Sequence, residues 1–129
     1  MTEPTGVLDT SVVLASGLPP LPGELAISAA TLAELHFGVL VTQIPAIRAE
    51  RLRRLAVLER TFEPLPIDAA VARSYGLLAA AVVGSGRKPR ARVMDLLVVA
   101  TARAHGAKLY TRNAKDLRGL GDLLEIVEI

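Results

Sequence analysis

The chain has 129 residues, 51% of them hydrophobic, and a formal net charge of only +2, a composition that excludes an intrinsically disordered protein. It has no cysteine, so disulfides, thiolate nucleophiles and zinc sites built on sulfur are excluded as well. No apolar run reaches the roughly 18 residues that a membrane-spanning helix needs. We therefore predict a single folded domain covering residues 1–129 and no membrane segment.

The first half of the chain is predicted to alternate strands and helices. Short apolar runs at residues 6–8 and 25–27 have the composition of buried strands. Apolar residues at helical spacing predict one helix from Thr31 to Val41. A second helix is predicted from Ala46 to Arg60, with an arginine-rich face.

The second half continues the alternation. Phe62 to Leu65 is predicted as a third strand, and Asp68 as the cap of a helix that runs to about Val83. Residues 84–90 have loop composition, residues 93–104 form a nearly all-round apolar helix, and residues 108–111 and 124–127 supply two more strands. Continuous apolar strands separated by helices predict an α/β fold, with a central, mostly parallel sheet flanked by helices on both faces.

Three acidic residues follow predicted strands closely, and each also has an ordinary structural interpretation. Asp9 ends the first strand and can cap the residues after it. Glu34 stands three residues after Thr31, which matches a capping box. Asp116 stands three residues after Asn113, which can cap a turn. None of the three indicates a functional site by itself.

Asp95 differs because it interrupts the apolar sequence of the helix at residues 93–104. A carboxylate in a buried helix is costly unless it is paired, hydrogen-bonded or bound to a metal. The alternative interpretation is a first-turn acid that the helix dipole favours. We favour a functional role for Asp95.

Taken together, the four acids predict a metal site, because a parallel sheet gathers such positions at the carboxyl edge of its strands. Carboxylates held close together repel one another unless a divalent cation offsets their charge. Asp68 begins a helix near the same edge, but its context is that of an ordinary cap, and we leave it out of the site. His36 and His105 lack a third ligand at a suitable spacing, so a hard cation held by oxygen is expected.

With those residues assembled, the chain resembles the PIN-domain ribonucleases, specifically the VapC-type toxins of toxin-antitoxin pairs. Four segments carry the resemblance nearly from end to end: VLDTS at residues 7–11, TLAEL at 31–35 with Gly38 after it, DLLVVATA at 95–102 and LYTRNAKD at 109–116. Each segment is weak evidence alone, but the four in this order and at this spacing are specific.

The resemblance implies an endoribonuclease that uses Mg²⁺, or Mn²⁺ as a substitute, cleaves cellular RNA and inhibits translation. It carries catalytic metal-binding roles onto Asp9, Glu34, Asp95 and Asp116, and it implies that Thr111 and Asn113 support these acids by hydrogen bonds. It further implies a cognate antitoxin protein whose tail enters the active-site groove, and a homodimer. One departure is Leu117, which follows Asp116 at a position where the family usually has an aromatic residue.

Positive charge is concentrated after residue 47. The part before Arg48 carries four acids and no cation, −4, whereas the rest carries fifteen cations and nine acids, +6. Four of these cations lie just before Asp95: Arg87, Lys88, Arg90 and Arg92. They could belong to a merely solvated loop, but their position next to Asp95 favours contacts to an RNA backbone. A solvated helix surface or part of an antitoxin contact is predicted for Arg48, Arg51, Arg53, Arg54 and Arg60.

Two other functions compete with this interpretation. The first is a non-catalytic PIN-like module that binds RNA or protein and uses its acids only as helix caps. The second is a phospho-acceptor receiver-like domain, which would need paired acids after the first strand, whereas Thr10 follows Asp9. Residues 1–6 carry Glu3 but no lysine or arginine, so the start of a secretory signal is missing and we expect a cytoplasmic protein.

Overall fold

The computed structural model describes residues 3–15 and 20–129. Its strands are β1 (Gly6–Leu8), β2 (Leu25–Ala26), β3 (Lys108–Thr111) and β4 (Ile126–Glu128). Its α-helices are α1 (Thr10–Val13), α2 (Ala29–Val41), α3 (Pro45–Thr61), α4 (Ala69–Gly84) and α5 (Val93–Ala104). Two short 3-10 helices, Pro89–Arg92 and Ala114–Leu117, precede α5 and follow β3.

The four strands form one parallel sheet in the order β2-β1-β3-β4. Val7 of β1 pairs with Leu109 of β3, and Leu8 pairs with Tyr110. The carboxyl ends of β1 and β3 are therefore adjacent, with the first residues of α1 just beyond them. This arrangement confirms the predicted α/β fold and parallel sheet.

The two faces of the sheet are covered by different parts of the chain. Val7 and Leu109 belong to a core cluster that includes buried residues of α4 and α5. Leu8 and Tyr110 pack on the other face, in a smaller cluster with Val12 of α1. As predicted, α5 is largely buried, with six fully or almost fully buried residues between Leu96 and Ala102. No helix in the described ranges is long and apolar enough to cross a membrane.

The predicted strand at residues 62–65 is wrong. Leu65 forms only a single parallel bridge, in which its N–H donates to the Ile27 carbonyl at 2.9 Å and its carbonyl accepts from Ala29 at 2.9 Å. Pro64 and Pro66 flank Leu65 and have no N–H to donate, so the pairing cannot extend.

The capping-box prediction for Glu34 is also wrong. The cap of α2 is Ser28, whose hydroxyl accepts from the Ala30 N–H at 3.0 Å, so the helix begins two residues before Thr31. Glu34 therefore lies beyond the first turn. The predicted cap of α4 is correct, because the Asp68 carboxylate accepts from the Val71 N–H at 3.0 Å.

The arginines of α3 are not only a solvated surface. Arg48 donates to the Thr42 carbonyl at 2.6 Å, Arg51 to the Gly38 carbonyl at 2.7 Å and Arg54 to the Leu14 carbonyl at 3.0 Å. These guanidinium groups satisfy carbonyls at or after the ends of α1 and α2. They therefore fix α3 against the two helices that border the carboxyl edge of the sheet.

Candidate active site

The four predicted acids line one cavity of about 210 Å³ at the carboxyl edge of the sheet. Asp9 follows β1, and its N–H donates to the Tyr110 carbonyl of β3 at 2.9 Å, which fixes the first acid beside the end of the neighbouring strand. The full set of lining residues is Asp9, Thr10, Ser11, Glu34, Asp95, Val99, Asn113, Asp116 and Leu117. Chain topology thus brings together acids that are far apart in sequence.

Asp9 is held by three hydrogen bonds. One carboxylate oxygen accepts from the Thr10 N–H at 2.8 Å, so the structural interpretation as the cap of α1 holds. The other accepts from the Ser11 hydroxyl at 3.0 Å and from the Thr111 hydroxyl at 2.7 Å. Thr111 thus makes the supporting bond that the family resemblance implies, and Asp9 has a fixed orientation.

Glu34 reaches the cavity from the second turn of α2. Its Oε1 accepts a 2.8 Å hydrogen bond from the Thr10 hydroxyl. Burial raises the pKa of Glu34, and the charges of Asp95 and Asp9 raise it further, while the bond from Thr10 lowers it. The carboxylate is therefore partly desolvated and faces other negative charges.

Asp95 lies in the first turn of α5 and is exposed, contrary to the expectation of a carboxylate buried within an apolar helix. The buried face of α5 packs on the sheet, whereas Asp95 opens onto the cavity. Partial desolvation still raises the pKa of Asp95, and the charges of Asp9 and Asp116 add to the rise, against a lowering by Arg92. The acids thus act on one another electrostatically.

Asp116 lies in the second 3-10 helix, whose backbone is held by two arginines. Arg87 donates to the carbonyl of Asp116 at 3.2 Å and also to the carbonyl of Arg118. Arg92 donates to the Asp116 carbonyl as well and places its guanidinium 3.8 Å from the carboxylate. These two arginines, which we call the arginine clamp, are engaged within the protein.

The four cations predicted to contact RNA therefore divide into two pairs. Arg87 and Arg92 are half-buried in the arginine clamp, whereas Lys88 and Arg90 are exposed. A loop cation cannot be assigned to solvent or to the protein from its sequence alone.

Asn113 supports the site differently from the expectation. Its backbone N–H donates to the Thr111 hydroxyl at 3.0 Å, which orients that hydroxyl towards Asp9. Among residues 3–15 and 20–129 its side chain makes no hydrogen bond to an acid, and it does not cap the following 3-10 helix. The Asn113 side chain does line the cavity.

The donor set of this cavity fits a hydrated Mg²⁺ or Mn²⁺ ion, because every candidate ligand is a carboxylate oxygen. In the described part of the chain no three acids or histidines form a preassembled ligand group. Mg²⁺ keeps several of its waters and commonly binds through one or two carboxylates, so open spacing is compatible with it. Burial, and after it the charges of neighbouring carboxylates, raise the pKa values of Glu34 and Asp95, and a bound cation would offset that negative charge.

A larger, mostly apolar cavity of about 510 Å³ lies beside the acids, between α1, α2 and α3. Thr10 and Glu34 line both cavities, and Arg51 and Arg54 stand at the wall of the larger one. Sequence reasoning did not predict this cavity, because it forms between helices whose packing the apolar pattern does not specify.

Comparison with known proteins identifies the family. Residues 7–121 match the PIN domain. The chain is 37% identical to Ribonuclease VapC5 of Mycobacterium tuberculosis over 118 residues, 87% of this chain and 85% of that protein. It is 31% identical to the tRNA(fMet)-specific endonuclease VapC of Shigella flexneri over 104 residues, 78% of this chain and 73% of that protein.

Solved structures agree with this assignment. A member of the VapBC family of toxin-antitoxin systems from Mycobacterium tuberculosis matches with a TM-score of 0.79 and 32% identity, covering 98% of this chain and all 100% of that one. VapBC-1 from nontypeable Haemophilus influenzae matches with a TM-score of 0.77 over 95% of this chain and 96% of that one, and its 24% identity speaks for the fold alone. The chain belongs to the PIN-domain family, and within it to the VapC-type toxins of toxin-antitoxin pairs.

Proposed function

We propose that this protein is a Mg²⁺-dependent endoribonuclease, the toxin of a type II toxin-antitoxin pair, which cleaves cellular RNA and so inhibits translation. The observation that carries the proposal is the cavity shared by Asp9, Glu34, Asp95 and Asp116 at the carboxyl edge of the sheet. Relatives that are named ribonucleases support the reaction class.

The four acids would hold the metal, and they differ in how firmly hydrogen bonds orient their carboxylates. Asp9 is oriented by Thr111 and Ser11, and Glu34 by Thr10. Asp95 is exposed to the cavity, while Asp116 keeps a contact with Arg92. A bound Mg²⁺ ion supplies a polarised water and offsets the charge on the scissile phosphate. The protein's part is to orient the carboxylates and to fix the distance between the two strand ends.

The substrate we propose is RNA bound mainly through its phosphates. Lys88 lies just before the 3-10 helix Pro89–Arg92 and Arg90 lies within it; both are exposed, and neither side chain makes a hydrogen bond or ion pair with residues 3–15 or 20–129. The chain has only four aromatic residues, and none of them is among the described residues that line the acid cavity, so bases have no stacking platform there. Phosphate contacts would position the RNA, and shape would select it.

An antitoxin protein is the partner we propose, together with a second copy of this chain in a homodimer. The matched structure at 32% identity is of a member of the VapBC family of toxin-antitoxin systems, which supports the antitoxin. Several large apolar side chains on α2 and in the turn after it are exposed, including Phe37 at 67% and Leu40 at 71%. Such side chains are suited to contact another protein.

Metal-dependent RNA cleavage by the purified, antitoxin-free protein tests the proposal. A panel of structured RNAs that includes transfer RNA is incubated with Mg²⁺, with Mn²⁺ or with EDTA. The proposal predicts endonucleolytic cutting with either metal and none with EDTA. If folded protein binds these RNAs but cuts none of them with any metal, the non-catalytic binding module replaces the proposal.

A further inference from the structure

The hydroxyl groups of Thr10 and Thr31 form a short chain that ends on Glu34. The Thr10 hydroxyl lies 2.8 Å from Glu34 Oε1 and 3.0 Å from the Thr31 hydroxyl, which belongs to the first turn of α2. Thr31 is completely buried, whereas Thr10 and Glu34 are half-buried at the cavity wall. These hydrogen bonds therefore connect the protein interior to the candidate metal site.

Each hydroxyl group has a single proton to donate, and this determines which group donates in each of the two hydrogen bonds. An ionised carboxylate can only accept, so Thr10 uses its single hydroxyl proton on Glu34. The contact between the two hydroxyls then requires Thr31 to be the donor and Thr10 the acceptor. Thr31 thus orients Thr10, and Thr10 orients the Glu34 carboxylate.

Residue 10 also contacts the first acid. The Thr10 N–H donates to Asp9 Oδ1 at 2.8 Å, while its hydroxyl donates to Glu34. One residue therefore holds two of the four acids from its backbone and its side chain. Ser28 already caps α2, so the Thr31 hydroxyl is not needed for that purpose and is available to Thr10.

We propose that Thr10 and Thr31 are positioning residues, a two-hydroxyl relay that holds the Glu34 carboxylate aimed into the acid cavity for metal binding. The inference rests on the proposed function, in which Glu34 binds the metal. Hydrogen bonds to a charged group are stronger than neutral ones, so loss of the relay should weaken metal binding beyond any effect on folding.

Isothermal titration of metal-free protein with Mn²⁺ tests the relay without RNA or catalysis. Thr10→Val and Thr31→Val keep the side-chain shape and remove the hydroxyls, and we expect each to weaken Mn²⁺ binding about tenfold. Thr10→Ser and Thr31→Ser keep the hydroxyls and should restore the affinity to within about twofold. Thr61→Val is the matched control, because the Thr61 hydroxyl on exposed α3 bonds the Val57 carbonyl and no other group among residues 3–15 and 20–129.

Coupling to Glu34 separates the relay from a purely structural role. Glu34→Gln should weaken Mn²⁺ binding, and adding Thr10→Val to it should weaken binding no further. If Glu34→Gln weakens binding but both valine variants bind as tightly as the native protein, the relay is refuted and the proposed metal site stands. If Glu34→Gln leaves Mn²⁺ affinity unchanged, both the relay and the role of Glu34 in the proposed site are refuted.

Discussion

Thr111 and Asp9 are 102 residues apart in sequence and joined by a 2.7 Å hydrogen bond from the threonine hydroxyl to the carboxylate. Thr111 is completely buried at the end of β3, and its hydroxyl also accepts from the Asn113 N–H at 3.0 Å. The pairing of β1 with β3 places the two residues side by side. The sheet itself thus aligns the first acid of the site.

Thr111→Val should both destabilise the protein and weaken metal binding. Valine fills the same space but leaves the Asn113 N–H without its acceptor and Asp9 without one donor, which costs about 1–3 kcal/mol of unfolding free energy. Urea unfolding of metal-free protein and Mn²⁺ titration measure the two effects. Thr61→Val serves as the control, and a Thr111→Val protein with native stability and native Mn²⁺ affinity would contradict this role.

At neutral pH, the ionised carboxylates of the acid cavity should destabilise the metal-free protein. The folded-state pKa values of Glu34 and Asp95 are raised, mainly by burial, from ordinary values of 4.5 and 3.8. Each protonated carboxyl group therefore adds to the free energy of unfolding. This contribution is complete below the pKa of the group in the unfolded chain, and it is lost as the pH rises through the pKa of the group in the folded protein. Asp95→Asn cannot ionise, so with EDTA it should unfold at higher urea than the native protein at about pH 7.5.

Two further arms check this assignment. The advantage of Asp95→Asn should disappear as pH falls towards the unfolded pKa of aspartate, about 3.9. At about pH 7.5, added Mg²⁺ should raise the stability of the native protein more than that of the variant, because a metal that binds only the folded state stabilises it. Equal stabilities of the two metal-free proteins at neutral pH would show that neither burial nor the neighbouring acids destabilise the ionised Asp95 carboxylate.

Lys88 and Arg90 should contribute to RNA binding through charge alone. Replacing both with Gln should reduce the slope of log affinity against log salt by about 0.7 for each lost phosphate contact on single-stranded RNA. Catalytically inactive protein and filter binding at several salt concentrations give the slope. An unchanged slope would show that Lys88 and Arg90 are only solvated and do not contact the RNA phosphates.

The arginine clamp should behave in the opposite way. Arg87→Gln removes donors to the Asp116 and Arg118 carbonyls, so we expect a lower midpoint of thermal unfolding and weaker Mn²⁺ binding. Because Arg87 is engaged with the protein, the salt dependence of RNA binding should stay native. A changed salt slope with native stability would instead identify Arg87 as an RNA contact.

Much of the fold follows from local sequence, and the exceptions have physical causes. Apolar runs predicted the strands at β1 and β3, and Asp68 predicted the start of α4. The run at residues 62–65 has strand composition, but Pro64 and Pro66 allow only one bridge. Helix ends depend on which polar side chain reaches an N–H group, and for α2 that residue is Ser28.

The candidate site was predictable in outline because parallel strands bring their carboxyl ends to one edge. Asp9 and Asp116 follow β1 and β3 and meet in the cavity for that reason, whereas Glu34 and Asp95 reach it from α2 and α5. The partners of these acids were harder to predict. Thr31 matched a capping box with Glu34, yet its hydroxyl contacts Thr10, which is 21 residues away. Contacts over such separations depend on tertiary packing, which a local motif does not encode.

We propose that the acid cavity cuts RNA, and a cleavage assay with Mg²⁺ that compares Asp95→Asn with Asp122→Asn tests this proposal. Asp122 is exposed and lies outside the cavity, so its variant is a control of matched chemistry. Mutation of a residue that only supports a metal ligand lowers metal affinity or activity about 10- to 100-fold. Replacing the proposed ligand Asp95 should therefore lower the cleavage rate more than about a hundredfold. Native cleavage by folded Asp95→Asn would contradict the account.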